Sequence, residues 1–140
     1  MSKVAVVYWS GTGNTQMMAD AVAEGAKAGG ADVSVFNVSD FSADKVDEFD
    51  GLAWGCPAMG SEELEDSEFE PVFSACESKL AGKKVVLFGS YDWGDGEWMR
   101  LWADRCKDAG ITLTAEPYSC NLTPDDGAKE DCADLGRALA

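Results

Sequence analysis

The stretch YWSGTGNTQMMAD, residues 8–20, joins an apolar run to a segment with helical periodicity. Within it, Ser10, Thr12 and Thr15 place three hydroxyls, and Asn14 one amide, around two glycines, and the stretch contains neither lysine nor arginine. Where a strand gives way to a helix, backbone N–H groups and the positive end of the helix dipole converge, so this loop predicts an anion site. Neutral donors of this kind can surround the terminal oxygens of one phosphate monoester without a countercharge.

Other glycine-rich loops fit this stretch less well. A P-loop requires a lysine before its final Ser or Thr, and none is present here. A dinucleotide-binding fingerprint requires a third glycine where the chain has Gln16, although Asp32 could supply its acidic residue. A purely structural turn with a capping hydroxyl explains one Ser or Thr of the stretch but not the whole donor set.

The rest of the chain alternates apolar, β-branched runs with segments of helical period. The predicted strands are residues 3–8, 32–36, 51–56, 84–88 and 111–114, and the predicted helices cover 14–28, 69–80 and 97–109. A last helix is predicted to open at Thr123-Pro124-Asp125-Asp126, with Thr123 as its N-cap, and a short helix or turn is predicted near Val46 and Phe49. This alternation predicts one α/β domain over residues 1–140, with a five-stranded parallel sheet covered by helices on both faces.

Composition narrows the function. The chain has 26 acidic and 11 basic residues and a net charge of -15, which disfavours nucleic acid and anionic membranes and favours basic protein surfaces. It has no histidine, so histidine-based catalysis and histidine-ligated metals are excluded. Its five cysteines contain no C-x-x-C pair, and its first apolar run is too short for a signal peptide or membrane span; we expect a cytoplasmic protein without membrane insertion.

Two further loops are predicted to meet the first one. In doubly wound sheets, ligands bind beyond the carboxyl ends of the strands at the switch point, so the loops after the third and fourth strands matter. Met59 and Trp93 lie in these loops and could clamp a flat ring. A cysteine phosphatase would need arginine where the chain has Glu62, and a phospho-acceptor receiver domain would need aspartate near Cys56. Both classes are therefore excluded.

Three segments of the chain resemble the short-chain flavodoxins, and the resemblance extends over the full length. The segments are YWSGTGNT at 8–15, GCPAMGSEELE at 55–65, and LFGSY at 87–91 followed by Trp93-Gly94. The resemblance implies a flavodoxin-like doubly wound sheet of strand order 2-1-3-4-5 and a non-covalently bound FMN. It further implies a low-potential one-electron carrier rather than an enzyme, with no catalytic residues and no metal.

The resemblance also implies roles for individual residues. Met59 and Trp93 would cover the two faces of the flavin ring, and Glu62 would bond to its N3 edge. The flavin phosphate would be held by Ser10, Thr12, Gly13, Asn14 and Thr15. The Met59-Gly60 peptide would reorient when the flavin gains an electron. Asp92 stands where relatives usually carry glycine, so a left-handed backbone there would be strained. The full set of implied FMN-binding residues is Ser10, Gly11, Thr12, Gly13, Asn14, Thr15, Ala58, Met59, Gly60, Ser61, Glu62, Ser90, Tyr91, Asp92, Trp93 and Gly94.

The acidic residues flanking this site indicate which partners the protein binds. They would disfavour an anionic reduced flavin, and they would attract basic patches of redox partner proteins, namely reductases and low-potential acceptors. A monomer is expected. The alternative is an FMN-dependent NAD(P)H:quinone or nitro reductase of the same fold, which would need an open cleft above the ring where Trp93 is expected to stack. A third alternative is a binding domain that has lost its flavin.

Overall fold

The computed structural model describes residues 2–59, 63–92, 94 and 96–140. Its strands form one parallel sheet in the order β2-β1-β3-β4-β5, which confirms the predicted topology. Two 3-10 turns, Val38–Asp40 and Ala43–Glu48, occupy the region predicted as a short helix or turn. The elements are β1 Lys3–Tyr8, α1 Asn14–Ala28, β2 Asp32–Asn37, β3 Gly51–Gly55, α2 Phe69–Glu77, β4 Lys84–Tyr91, α3 Glu97–Asp108, β5 Tyr118–Asn121 and α4 Asp126–Leu139.

The sheet separates two hydrophobic layers because successive strand side chains point to opposite faces. On one face Ala5 and Val7 of β1 belong to a core rich in aromatic rings, including Trp54, Phe73 and Trp102. On the other face Val4 and Val6 join a core of smaller side chains contributed by α1 and α4. Helices thus cover both faces of the sheet, as the alternation of elements predicts.

Two glycines let α1 and α4 pack backbone against backbone. A Cβ added at Gly25 would lie 1.9 Å from the carbonyl oxygen of Ala133, and one added at Gly136 would lie 2.0 Å from that of Val22. Neither distance is compatible with a side chain, so only glycine fits at these positions. The contact fixes α1, and with it the loop from which α1 begins.

The predicted position of the fifth strand is wrong. Residues 111–114 do not form a strand; Leu113 makes one isolated bridge to Val85, and β5 begins only at Tyr118. The Thr114 hydroxyl accepts the N–H of Val85 at 3.2 Å, in place of a backbone carbonyl, and Pro117 has no N–H to donate. The regular ladder therefore starts after Pro117.

The predicted N-cap of the last helix is also wrong. Asp125, not Thr123, caps α4: its carboxylate accepts the N–H of Ala128 at 2.8 Å, and the helix begins at Asp126. Both residue types are good caps, and the hydroxyl of Thr123 is engaged elsewhere, as described below. In the part of the chain that the structure describes, no helix combines the length and apolarity needed to cross a membrane.

Candidate cofactor site

A cavity of about 160 Å³ lies at the carboxyl ends of β1, β3 and β4. The structure thus brings together residues from all three loops singled out in the sequence, at the sheet edge where doubly wound folds bind ligands. The lining residues are Trp9, Ser10, Gly11, Thr12, Thr15, Pro57, Ala58, Met59, Ser90, Tyr91 and Asp92.

The hydroxyl of Ser10 connects the first loop to the start of α1. The Ser10 hydroxyl oxygen accepts the N–H groups of Gly13 at 3.0 Å and of Gln16 at 3.3 Å. Gly13 precedes the helix with a φ of 95°, a conformation that glycine adopts without strain. Asn14 and Thr15 open the helix, where backbone N–H groups have no partner within the helix and are available to an anion.

A buried hydroxyl pair joins the first loop to β4. Thr15 is 1% exposed and Ser90 is 4% exposed, and their hydroxyl oxygens lie 3.1 Å apart in a hydrogen bond. Whichever hydroxyl accepts this bond keeps its own proton to donate elsewhere. The pair therefore fixes the spacing between the start of α1 and the end of β4 and still offers a donor to a ligand.

The second loop is tied to β4 and is closed on itself by backbone hydrogen bonds. The Ala58 N–H donates to the Ser90 carbonyl at 3.0 Å, and Met59 and Glu63 exchange two backbone hydrogen bonds of 2.8 and 3.0 Å. Met59 remains 37% exposed at the cavity. Gly60, Ser61 and Glu62, which are predicted to bind FMN, lie outside the described residues.

Glu65 ends this loop as a buried carboxylate. It is 5% exposed, and one oxygen accepts the N–H groups of Glu68 and Phe69 at 2.7 and 2.8 Å, while the other accepts the N–H and hydroxyl of Ser67. Burial alone would raise the pKa of Glu65, but these hydrogen bonds outweigh it and lower the pKa. The carboxylate thereby satisfies donors at the start of α2 and anchors the end of the loop.

A buried thiol makes a further hydrogen bond to the end of the same loop. The sulfur of Cys56 accepts the N–H of Glu65 at 3.3 Å. Burial raises the pKa of the Cys56 thiol far above its ordinary value, so the thiol stays protonated. Its protonation and its burial argue against a nucleophilic role and support a structural one.

The third loop differs from its expectation at Asp92. The backbone of Asp92 does not adopt a positive φ, since Leu122 is the one non-glycine residue in the described ranges that does. The left-handed position falls instead on Gly94, with a φ of 90°. Asp92 therefore sits in the loop without the strain that its replacement of glycine suggested. Trp93 lies outside the residues that the structure describes.

Sequence reasoning missed three residues that contact these loops. Asn121 Nδ2 donates to the Tyr91 carbonyl at 3.1 Å, the Thr123 hydroxyl donates to Asn14 Oδ1 at 3.1 Å, and Trp9 Nε1 donates to Glu68 at 3.3 Å. Asn121 ends β5 and Thr123 follows it, so both share the carboxyl edge of the sheet with the cavity. The misplaced fifth strand hid them; a correct strand would have placed residues 121–123 there.

The chemistry of the donor set fits a phosphate-bearing cofactor. Three hydroxyl residues of the first loop, Ser10, Thr12 and Thr15, line the cavity, whereas Gly13 and Asn14 are not among its lining residues. Residues 4–26, 46–78 and 85–99 contain no Lys or Arg at all. Such a cradle can hold one phosphate by hydrogen bonds and the helix dipole, but it offers no cation for a polyphosphate. Within the described ranges, no group of three or more His, Cys, Asp or Glu side chains could hold a metal ion.

A doubly wound parallel sheet with this cradle at its switch point defines an α/β protein that binds a phosphorylated cofactor. Comparison with known proteins makes the class specific. The family model for flavodoxin matches residues 6–136. The chain is 50% identical over 137 residues to a flavodoxin of Megasphaera elsdenii, covering 98% of both, and 47% identical over 135 residues to one of Clostridium beijerinckii, covering 96% of this chain and 97% of the relative. The chain belongs to the flavodoxin family.

Solved structures agree with this assignment. The solution structure of the two-electron reduced Megasphaera elsdenii flavodoxin superposes with a TM-score of 0.86 at 49% identity and 97% coverage of both chains. A flavodoxin from the domain Archaea gives a TM-score of 0.88 at 28% identity, covering 99% of this chain and 96% of that one. The resemblance found in the sequence is thus confirmed: the protein is an FMN-binding electron carrier and not an enzyme.

Proposed function

We propose that this chain holds FMN in the switch-point cavity and carries single electrons at low potential between partner proteins. The observation that carries the proposal is the cradle of neutral donors at the start of α1, set among loops that contain acids and no cations. When bound, FMN supplies the redox chemistry by accepting and releasing electrons one at a time. The protein's contribution is to bind it, to exclude water and to set its potential.

The first loop would hold the phosphate. Thr12 and Thr15 line the cavity, and Asn14, whose amide would be the third donor, stands at the first turn of α1 beside them. Ser10 and Gly13 shape the loop through the hydrogen bond that joins them. Gly11 admits the indole of Trp9, because a Cβ at this position would lie 3.1 Å from the ring.

The second and third loops would hold the ring. Ala58 and Met59 line the cavity from one loop, and Ser90, Tyr91 and Asp92 line it from the other. A methionine sulfur and an apolar surface suit a flat aromatic face. For Gly60, Ser61, Glu62, Trp93 and Gly94, the support is the resemblance to other flavodoxins.

Acidic side chains near the cavity support a low potential. Glu63, Asp66 and Glu68 are exposed on the segment that follows β3, and Asp92 lines the cavity itself. A negative charge about 10 Å from a reduced, anionic flavin costs about 1.7 kcal/mol at an effective dielectric near 20, or about 70 mV for one electron before screening. Several such charges, even when strongly screened, would lower the potential of the second electron.

The same acids support docking to basic patches of redox partners. Opposite charge accelerates association at low salt, and the advantage falls as ionic strength rises. A monomer is supported by the large exposed apolar residues that the structure describes, Val35, Met59, Leu101 and Leu122, which are spread over different elements. A cytoplasmic location is supported by five buried, unpaired cysteines, which suit a reducing compartment.

A spectroscopic redox titration tests the function. We expect flavin absorbance to change in two separated one-electron steps, the second at low potential, and a nicotinamide nucleotide alone to reduce the protein scarcely at all. Rapid bleaching by the nucleotide in a single two-electron step would instead establish the reductase alternative. That alternative is not favoured, since the matched family and the full-length relatives are flavodoxins.

A further inference from the structure

The turn after β5 carries backbone strain. Leu122 has a φ of 60°, the one positive value among the non-glycine residues of 2–59, 63–92, 94 and 96–140. In this conformation the Cβ crowds the next carbonyl oxygen, so such a residue persists only where the surrounding structure holds it. Leu122 is 50% exposed, so burial of its side chain does not account for the conformation. The conformation is held instead by the hydrogen bonds of Leu122 and of its two neighbours.

Two donors of this turn converge on Tyr91, the last residue of β4, where the third loop begins. The Leu122 N–H donates to the Tyr91 carbonyl oxygen at 2.8 Å, and Asn121 Nδ2 donates to the same oxygen at 3.1 Å. Asn121 Nδ2 also lies 3.5 Å from the carbonyl oxygen of Asp92. Tyr91 and Asp92 both line the cavity. The turn therefore holds the backbone of a loop that faces the cofactor site.

The next residue reaches the phosphate loop. The Thr123 hydroxyl donates to Asn14 Oδ1 at 3.1 Å, a contact between residues 109 apart in the chain. A side-chain amide has one acceptor oxygen and one donor nitrogen, so engaging Oδ1 with a donor leaves Nδ2 as the group that can face an anion. An amide turned the other way would present an oxygen to the phosphate and repel it. Thr123 thus sets which end of the Asn14 amide is available.

We infer that residues 121–123 form a strap that positions both halves of the FMN site, with Asn121 and Thr123 as positioning residues. The left-handed conformation of Leu122 turns the chain between its two neighbours. Asn121 can therefore bind the backbone of Tyr91 and Asp92, while Thr123 binds Asn14 at the first turn of α1. The inference rests on the proposed FMN site, and it requires no contact between the strap and FMN. Loss of either hydrogen bond should loosen FMN binding.

The test compares Thr123→Val, which removes the hydroxyl and keeps the side-chain shape, with Asn121→Ala and the double variant. FMN dissociation constants are measured from the quenching of free flavin fluorescence on addition of apoprotein, and apoprotein stability is measured by urea unfolding. Each single variant should raise the dissociation constant, by about fivefold where the whole contribution of one neutral hydrogen bond to positioning is lost to FMN binding. The double variant should show less than the product of the two effects, because the contacts belong to one strap.

Thr112→Val provides the matched control, since Thr112 is exposed and precedes the residue that bridges to the amino end of β4. Its FMN dissociation constant should equal that of the wild type. Both single variants could lower the urea midpoint and yet keep FMN dissociation constants within twofold of the wild type. That result would show that the turn is merely structural and would overturn the inference. Fully multiplicative effects would show two independent contacts and overturn the strap. Failure of the wild type itself to bind FMN would instead refute the proposed site. If Asn121→Ala does not fold, the shape-preserving Thr123→Val still decides.

Discussion

Replacing Glu65 by glutamine should destabilise the protein far more than removal of one surface charge. The two carboxylate oxygens together accept four hydrogen bonds, two of them from the first residues of α2 or its cap. In Glu65→Gln an NH₂ group replaces one oxygen and faces donors, so at least one backbone N–H loses its partner in a site that is 5% exposed. The remaining bonds also lose their charge.

The magnitude follows from the bonds that change. Hydrogen bonds to a charged group contribute about 1.5–3 kcal/mol each and neutral ones about 1 kcal/mol, so one lost bond and weakened neighbours give a loss of about 3 kcal/mol. For a domain of this length, that corresponds to a fall of about 10 °C in the melting temperature. Urea unfolding followed by circular dichroism measures the free energy of unfolding directly.

Asp66→Asn is the matched control, because Asp66 is the neighbouring acid and is exposed. It removes the same charge without removing the helix-capping bonds, so its free energy of unfolding should stay within about 0.5 kcal/mol of the wild type. A Glu65→Gln variant as stable as Asp66→Asn would refute the argument that Glu65 holds the start of α2.

Three further outcomes follow from the structure. The pKa of Glu65 is lowered in the folded state, so its carboxylate stabilises the fold above its unfolded pKa of about 4.3. This stabilisation is lost as the pH falls through the folded pKa. Urea midpoints below pH 4.5 should therefore fall more steeply in the wild type than in Glu65→Gln. Gly136→Ala should lower the free energy of unfolding in urea by about 2–3 kcal/mol, because its Cβ would lie 2.0 Å from a carbonyl oxygen of α1. In Gly127→Ala of the same helix the nearest atom lies at 3.5 Å, so this control should be neutral or stabilising. Arg105→Lys should cost about 1–2 kcal/mol in the same assay, since the guanidinium joins Glu70 and Glu77 of α2 to α3, while Arg137→Lys alters only an exposed pair and should change stability by less than about 0.5 kcal/mol.

The features that the sequence predicted well are encoded locally. The bounds of α1, Asn14–Ala28, match the prediction because a glycine-rich loop and a Gly29-Gly30 pair mark its two ends. β1 matches because its valine-rich run is typical of a buried strand and ends just before the glycine-rich loop. Once five parallel strands are accepted, the meeting of the loops after β1, β3 and β4 follows from topology.

The features that it predicted badly depend on distant contacts. Ile111 belongs to an apolar run typical of a strand, but its N–H donates to Cys106 of α3 and its side chain is buried in the aromatic layer. Thr123 is as good a cap as Asp125, and the choice between them is made by the bond from Thr123 to Asn14. No local pattern contains that partner, because it lies at the opposite end of the chain.

The acids after β3 show the same division within one short segment. In the sequence, Glu63, Glu65 and Asp66 all read as charges that lower the flavin potential. In the structure Glu63 and Asp66 are exposed, whereas Glu65 is buried and its charge is met by four donors at the start of α2. A charge compensated in this way acts on the flavin less than its neighbours do, because the oriented donors oppose its field. The flavin potential is therefore expected to depend on the exposed acids. Glu65 acts differently, because it fixes the position of the loop that carries them.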